Sequence, residues 1–192
     1  MRKKAETSVD LHPILAERWS PRSFDGNSTI STVDLTAMLE AARWAPSSNN
    51  GQPWRFVVAK RGEYEFSKMI DLLAGFNQIW TPKAVALIMV ATKTTNEDGS
   101  NRGSALYDAG LAASLLTVEA HHRGFVVRQM GGFDRAAAVT AFELQEGIAP
   151  IVILAIGKQA PADSLQDPTL VEREIADRTR IPLQDLIVGG SI

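Results

Sequence analysis

The sequence predicts an α+β fold, mainly because of the order of its elements. Helical and extended segments follow one another irregularly along the 192 residues and begin with helices, so the regular strand–helix–strand alternation of a doubly wound sheet is missing. A hydrophobic content of 45% at this length predicts one domain with a proper core. We therefore expect a single α+β unit.

Hydrophobic spacing predicts two helices near the start of the chain. The first covers about residues 9–19, is ended by Ser20-Pro21, and has apolar side chains on one face at Leu11, Ile14, Leu15 and Trp19. The second begins at Ser31 or Thr32, where Ser31 and Asp34 resemble a capping box. Pro46 ends it and opens a turn-rich loop that extends to Pro53.

The middle of the chain mixes strands and helices. We predict a strand at 54–59, a helix at 63–74, a buried strand at 85–91, a polar and mobile loop at 93–104, and the longest helix at 105–123. That last helix is apolar nearly all round, which requires burial. In so small a chain, its second face is expected to meet another subunit.

The last third of the chain contains two short strands and a polar tail. The strands are predicted at 125–129 and 151–156, with Gly131-Gly132 and a helix at 136–142 between them. From Pro161 onward the composition is polar and weakly periodic, which favours an arm that wraps around something rather than a packed element.

Composition excludes several kinds of function. The chain has no cysteine, so disulfide scaffolds, thiolate zinc sites, iron–sulfur clusters and cysteine nucleophiles are excluded. A net charge of −2 argues against nucleic-acid binding. The adjacent His121 and His122 cannot share one helix face, which disfavours a metal site there. With no hydrolase or nucleotide-loop motif either, a cofactor is expected to carry any difficult chemistry.

The sequence shows no sign of export or membrane insertion. Charged residues interrupt the segment that follows the basic start, so an apolar signal core is missing. The longest apolar runs, 84–91 and 151–156, are far shorter than the roughly 20 residues that a membrane span needs. We expect a cytoplasmic protein that does not bind membranes.

Two arginine pairs suggest a phosphate site. Arg18-Trp19-Ser20-Pro21-Arg22 closes the first helix, and Arg178-Thr179-Arg180 lies in the tail. Guanidinium groups with serine hydroxyls suit a phosphate monoester, because arginine can hold its oxygens in a planar fork. Taken alone, each pair is better explained as an ordinary solvated surface feature than as a phosphate site.

Four motifs together resemble the FMN-dependent nitroreductase family. They are Arg18-x-Ser20-x-Arg22-x-Phe24, the segment from Ala45 to Trp54, Gly131-Gly132-Phe133-Asp134, and Arg178-x-Arg180-Ile181-Pro182. The resemblance implies a mixed, mainly antiparallel sheet flanked by helices, in an intertwined homodimer with FMN at the subunit interface. It also implies a core over residues 1–160 and a C-terminal arm, 161–192, that completes the phosphate site and the dimer.

The resemblance assigns roles to thirteen residues around FMN. Arg18, Trp19, Ser20 and Arg22 would meet the phosphate, ribityl and pyrimidine side of the cofactor, with Arg178 and Arg180 closing on the phosphate. Gly131 and Gly132 would approach N5 through their backbone, although a plain turn capped by Asp134 also explains them. The remaining residues are Pro46, Ser47, Ser48 and Asn50, toward the flavin of the other subunit, and Asn77, toward the pyrimidine ring.

The implied activity is a two-step exchange of hydride at flavin N5. NADH or NADPH would reduce the flavin, and a nitroaromatic, quinone or similar small acceptor would reoxidise it. No side chain need act as acid or base in this scheme. Two alternatives stay open: a flavin-dependent oxidase or dehydrogenase of a specific biosynthetic substrate, and a flavin-binding protein without catalytic activity.

Overall fold

Helices cover both faces of a four-stranded sheet in the computed structural model, which describes residues 3–190. The strands lie in the order β1-β2-β4-β3, and each neighbouring pair is antiparallel. The α+β prediction is confirmed. The strands are β1 (Trp54–Lys60), β2 (Ala86–Lys93), β3 (Val126–Met130) and β4 (Ile148–Gly157).

Seven α-helices lie within the described residues. Ser31 caps the second of them, since its hydroxyl oxygen accepts a hydrogen bond from the Asp34 N–H at 3.0 Å, as the capping pattern predicts. The helices are α1 (Pro13–Glu17), α2 (Thr32–Arg43), α3 (Tyr64–Leu72), α4 (Asn77–Trp80), α5 (Ala105–His122), α6 (Arg135–Ala141) and α7 (Pro168–Ile175).

Two apolar cores form, one on each face of the sheet. α2 and α5 cover one face, and α3, α6 and α7 cover the other. The central strand β2 is buried from Ala86 to Thr92, because both of its faces are covered. Leu116 of α5 is fully buried against the sheet, whereas Leu106 and Tyr107 of the same helix are exposed in the single chain. The prediction that a second face of this helix meets another subunit stays a prediction.

The first predicted helix is wrong in its length. α1 covers only five residues instead of the predicted 9–19. Pro13 sits in its first turn, where the fixed φ of proline suits a helix start, and the residues before it are not helical. Leu11 and Leu15 are exposed, so their spacing does not mark a buried face.

Two helices were not predicted. The four-residue α4 is too short to show a period. α7 lies inside the tail that was expected to be an unpacked arm, and its Leu170 is fully buried in the core. A local signal for α7 existed: the Asp167 carboxylate accepts from the Leu170 N–H at 3.0 Å, and Pro168 occupies the first helical turn.

Candidate flavin site

The first arginine motif leaves α1 and meets the C-terminal tail. Arg18 is the C-terminal cap of α1, and its Nη1 lies 3.5 Å from the Ser20 hydroxyl oxygen. From the tail, Nη1 of Arg178 donates to the carbonyl of Ala16 at 3.1 Å and also to that of Lys3. The fold therefore brings together two pairs that are about 160 residues apart in sequence.

Arg18, Arg178 and Arg180 lie close enough to repel one another electrostatically. We call these three residues the phosphate cluster. Burial, followed by the charge of Arg180, lowers the pKa of Arg18. Burial, followed by the charges of Arg18 and Arg180, lowers the pKa of Arg178. Within residues 3–190, no carboxylate forms a salt bridge with any of the three. Like charges held close without a counter-charge favour an anion between them.

Glu174 fixes the other end of the motif. This buried carboxylate of α7 accepts hydrogen bonds from the Arg22 N–H at 2.9 Å, the Ser23 N–H at 3.2 Å and the Ser23 hydroxyl at 2.8 Å. Sequence reasoning missed Glu174. One signal was present, because Glu174 follows Leu170 by four residues and so shares its inward helix face.

Arg22 and Arg128 form a second positive group beside Glu174. Burial lowers the pKa of Arg22; Glu174 opposes this shift, and the charge of Arg173 adds to it. Burial and the charge of Arg22 lower the pKa of Arg128 to about 10, with Glu174 again opposing. Both arginines stay protonated at neutral pH. Arg128 was not among the predicted site residues.

Asn77 and the glycine pair lie next to each other. A Cβ on Gly132 would stand 3.9 Å from Nδ2 of Asn77, and the Gly132 carbonyl accepts from the Ala74 N–H at 3.0 Å. A Cβ on Gly131 would meet open space. Asp134 caps α6, as the plain-turn interpretation predicts, by accepting from the Ala137 N–H at 2.9 Å. The turn therefore leaves the glycine backbone accessible to a ligand.

The loop that follows α2 lies against α5. The Ser48 N–H is 3.3 Å from Oδ1 of Asp108, a buried carboxylate near the start of α5. Asn49, Asn50 and Gln52 all have positive φ, a backbone conformation that asparagine tolerates but glutamine rarely adopts. Such strain is typical of functional loops.

The other predicted residues of this loop make contacts within the loop or are exposed. Ser47 uses its hydroxyl oxygen to accept from the Gln52 N–H at 3.0 Å, while Pro46 and Asn50 are exposed. No hydrogen bond within residues 3–190 joins the loop to the phosphate cluster or to Arg22. Trp19, in contrast, is buried, with Lys3 Nζ 4.7 Å from its ring centroid. The structure thus brings Arg178 to the segment that contains Arg18 and Ser20, places Asn77 beside Gly132, and joins the loop to α5 instead.

Residues 3–190 contain neither a metal-binding cluster of side chains nor a membrane-spanning helix. No three His, Asp or Glu side chains of this region are arranged to hold a metal ion. None of its helices combines the length and apolar character that a membrane span requires.

Known proteins that are similar in sequence or in structure indicate the family of this chain. The model of the nitroreductase family matches residues 15–84. The crystal structure of an oxidoreductase containing FMN is 32% identical, covers 97% of this chain and 94% of its own, and superimposes with a TM-score of 0.90. A nitroreductase of Exiguobacterium sibiricum, solved in complex with FMN, is 26% identical over 96% of this chain and 99% of its own, with a TM-score of 0.73.

A curated relative agrees with this result. YdgI of Bacillus subtilis, provisionally named an NAD(P)H nitroreductase, is 29% identical over 188 residues, which is 79% of this chain and 89% of YdgI. The family model, the whole-chain structural match and the curated relative point the same way. This chain belongs to the nitroreductase family.

Proposed function

We propose that this protein is an FMN-dependent oxidoreductase that takes electrons from NADH or NADPH. The observation that carries the proposal is the phosphate cluster: Arg178 is bonded to the carbonyl of Ala16, two residues before Arg18, and no carboxylate of residues 3–190 forms a salt bridge with an arginine of the cluster. FMN ends in a phosphate monoester with nearly two negative charges, which three guanidinium groups can neutralise. The FMN named for related crystal structures supports the same cofactor.

The donor set of the chain fits the rest of FMN. Arg22 stands four residues beyond Arg18 and offers a cation to the pyrimidine side of the ring system. Asn77 offers an amide to the same side, and Gly131 and Gly132 offer a backbone without side chains. The indole N–H of Trp80 is buried and has no hydrogen-bond partner within the described residues, so an additional polar group would satisfy it.

In the proposed activity, bound FMN supplies a hydride acceptor and donor at N5, between NAD(P)H and a small acceptor such as a nitroaromatic or a quinone. The chain's own residues bind and orient the cofactor. Arg18, Arg178 and Arg180 hold the phosphate, and Arg22 stabilises the negative charge that reduction adds to the pyrimidine side. Nothing lies within 4 Å of a Cβ placed on Gly131, so this backbone leaves room for the flavin to come close. We place the protein in the cytoplasm, where both nicotinamides are available.

We further propose a homodimer with FMN at its interface. The loop that contains Pro46, Ser47, Ser48 and Asn50 is separate from the arginines of its own chain, which supports a role in the site of a partner subunit. Several large apolar side chains that a dimer would cover are exposed in the single chain. They are Trp44, Leu106, Tyr107, Ile181, Leu183, Leu186 and Val188.

The mass in solution tests the dimer. With its formula mass of 20.9 kDa, the flavin-loaded protein is expected at about twice that mass by light scattering at micromolar concentration. The proposed dimer would cover the exposed face of α5 and the C-terminal arm. We therefore expect it not to dissociate on dilution. A stable monomer that retains FMN would contradict a site shared between subunits.

Absorption spectroscopy tests the cofactor and the activity. We expect the protein to bind one FMN per chain and the bound flavin to be bleached anaerobically by NADH or NADPH, then reoxidised by a nitroaromatic or a quinone. Bleaching by neither nicotinamide, despite bound FMN, would favour the alternative of a specific oxidase or dehydrogenase. Flavin that can be neither reduced nor reoxidised would indicate a binding protein, and failure to bind FMN would refute the proposal.

A further inference from the structure

Arg128 occupies an unusual position for an arginine. It lies in the middle of β3. Because successive side chains of a strand point to opposite faces of the sheet, Arg128 shares a face with Val126 and Met130, both of which are buried in the core. β3 is an edge strand and leads directly into Gly131. Removing a guanidinium group from water costs free energy unless other groups compensate its charge and its hydrogen bonds. The contacts of Arg128 therefore indicate what it does at this position.

The contacts of Arg128 join three segments of the candidate site. Its Nη1 donates to the carbonyl of Ser20 at 2.5 Å, inside the arginine motif. Its guanidinium carbon lies 5.8 Å from the ring centroid of Trp80, the last residue of the helix that begins at Asn77. Its backbone belongs to β3, which continues into the glycine turn. Arg128 thus connects the arginine motif, α4 and the end of β3.

The charges around Arg128 do not balance. Arg22 and Arg128 are close enough to repel, and Glu174 is the carboxylate beside them. That carboxylate accepts hydrogen bonds from the backbone of Arg22 and Ser23, and its nearest contact with the Arg22 guanidinium is 3.9 Å. Two cations against one carboxylate leave an excess positive charge, which negative charge on a ligand would offset.

We propose that Arg128 is a positioning residue of the flavin site that also supplies its second partly buried cation. It holds the turn between Arg18 and Arg22 through the Ser20 carbonyl, and its charge adds to that of Arg22 on the pyrimidine side of FMN. This rests on the proposed function, because it assumes that FMN is the ligand. Removing the charge should therefore weaken binding of reduced FMN more than binding of oxidised FMN, since reduction adds negative charge.

The test compares R128Q and R128K with the wild-type protein. Three quantities are measured: the Kd of oxidised FMN by fluorescence quenching, the midpoint potential of the bound flavin, and the thermal stability of the apoprotein. For R128Q we expect the affinity for reduced FMN to fall about tenfold more than that for oxidised FMN, which makes the two-electron potential about 30 mV more negative. R128K keeps the charge, so its potential should return toward that of wild type, while the weaker hold on Ser20 still raises the Kd.

R61Q is the matched control. Arg61 also donates to backbone carbonyls, those of Ser28 and Lys83, but contacts none of the site residues named above. Its loss should change apoprotein stability without moving the potential. An unchanged potential in R128Q, or an equal shift in R61Q, would overturn the role of Arg128 while leaving FMN binding by the wild type intact. Failure of the proposed function differs, because the wild type itself would then not bind FMN.

Discussion

Replacing Arg18 and Arg180 together by alanine is expected to release most of the bound FMN. Both belong to the phosphate cluster, and neither forms a salt bridge with a carboxylate of residues 3–190 that could hold it for another purpose. Each charge-assisted contact with phosphate contributes about 1.5–3 kcal/mol. Their joint loss should raise the Kd for FMN by about two to four orders of magnitude, as measured by fluorescence titration of the apoprotein.

The double variant R43A/K60A is its control. It also removes two positive charges, but Arg43 is paired with Glu40 on α2, and Lys60 is bonded to the hydroxyl of Thr32. If long-range attraction alone held the cofactor, both double variants would weaken binding equally. Retention of FMN by R18A/R180A at low micromolar concentration would show that the phosphate site has been assigned to the wrong arginines.

Replacement of Glu174 by alanine is expected to destabilise the fold strongly. The change leaves the backbone N–H groups of Arg22 and Ser23 without their acceptor and removes the carboxylate beside Arg22 and Arg128. The Ser23 hydroxyl keeps the Ala160 carbonyl as its acceptor. Removing one partner of a buried ionic group typically costs about 3–5 kcal/mol. Urea unfolding of the apoprotein measures the loss. Because the same bonds fix the backbone of the arginine motif, FMN affinity should fall as well.

Glu172 provides the comparison on the same helix. It is exposed, so E172A alters the charge and helix composition of α7 without touching the motif. Surface substitutions of this kind usually change the free energy of unfolding by about 0.5 kcal/mol or less. Equal unfolding midpoints for E174A and E172A would mean that the bonds to Arg22 and Ser23 contribute little to stability.

Local patterns predicted the elements whose stabilising contacts are themselves local. The start of α2 followed from Ser31 and Asp34, because a capping bond joins residues three apart. The same reasoning failed for the first helix, where the apolar period continued through Leu11 although that side chain faces solvent. Periodicity shows that a face could be buried, but not that another element covers it.

The sequence also marked several residues of the candidate site, but it did not mark two others that the structure places beside them. Arg18, Arg22, Arg178 and Arg180 could be chosen because clustered guanidinium groups and a family resemblance marked them. Arg128 and Glu174 belong neither to an arginine pair nor to a motif of the family resemblance. Each acts on the motif from 108 or 152 residues away, through bonds that exist only after β3 and α7 have packed.

By itself, the amino-acid sequence determined the α+β class, the caps of α2 and α6, and the chemical nature of the arginine set that we propose to bind phosphate. Short-range sterics and hydrogen bonding suffice for the first two, and the charge of a side chain does not depend on the fold. The tertiary structure alone decided which arginines come together, which of them lose solvent, and that one buried carboxylate holds the motif in place. Those properties depend on distances between segments remote in sequence, which only packing of the helices on the sheet establishes.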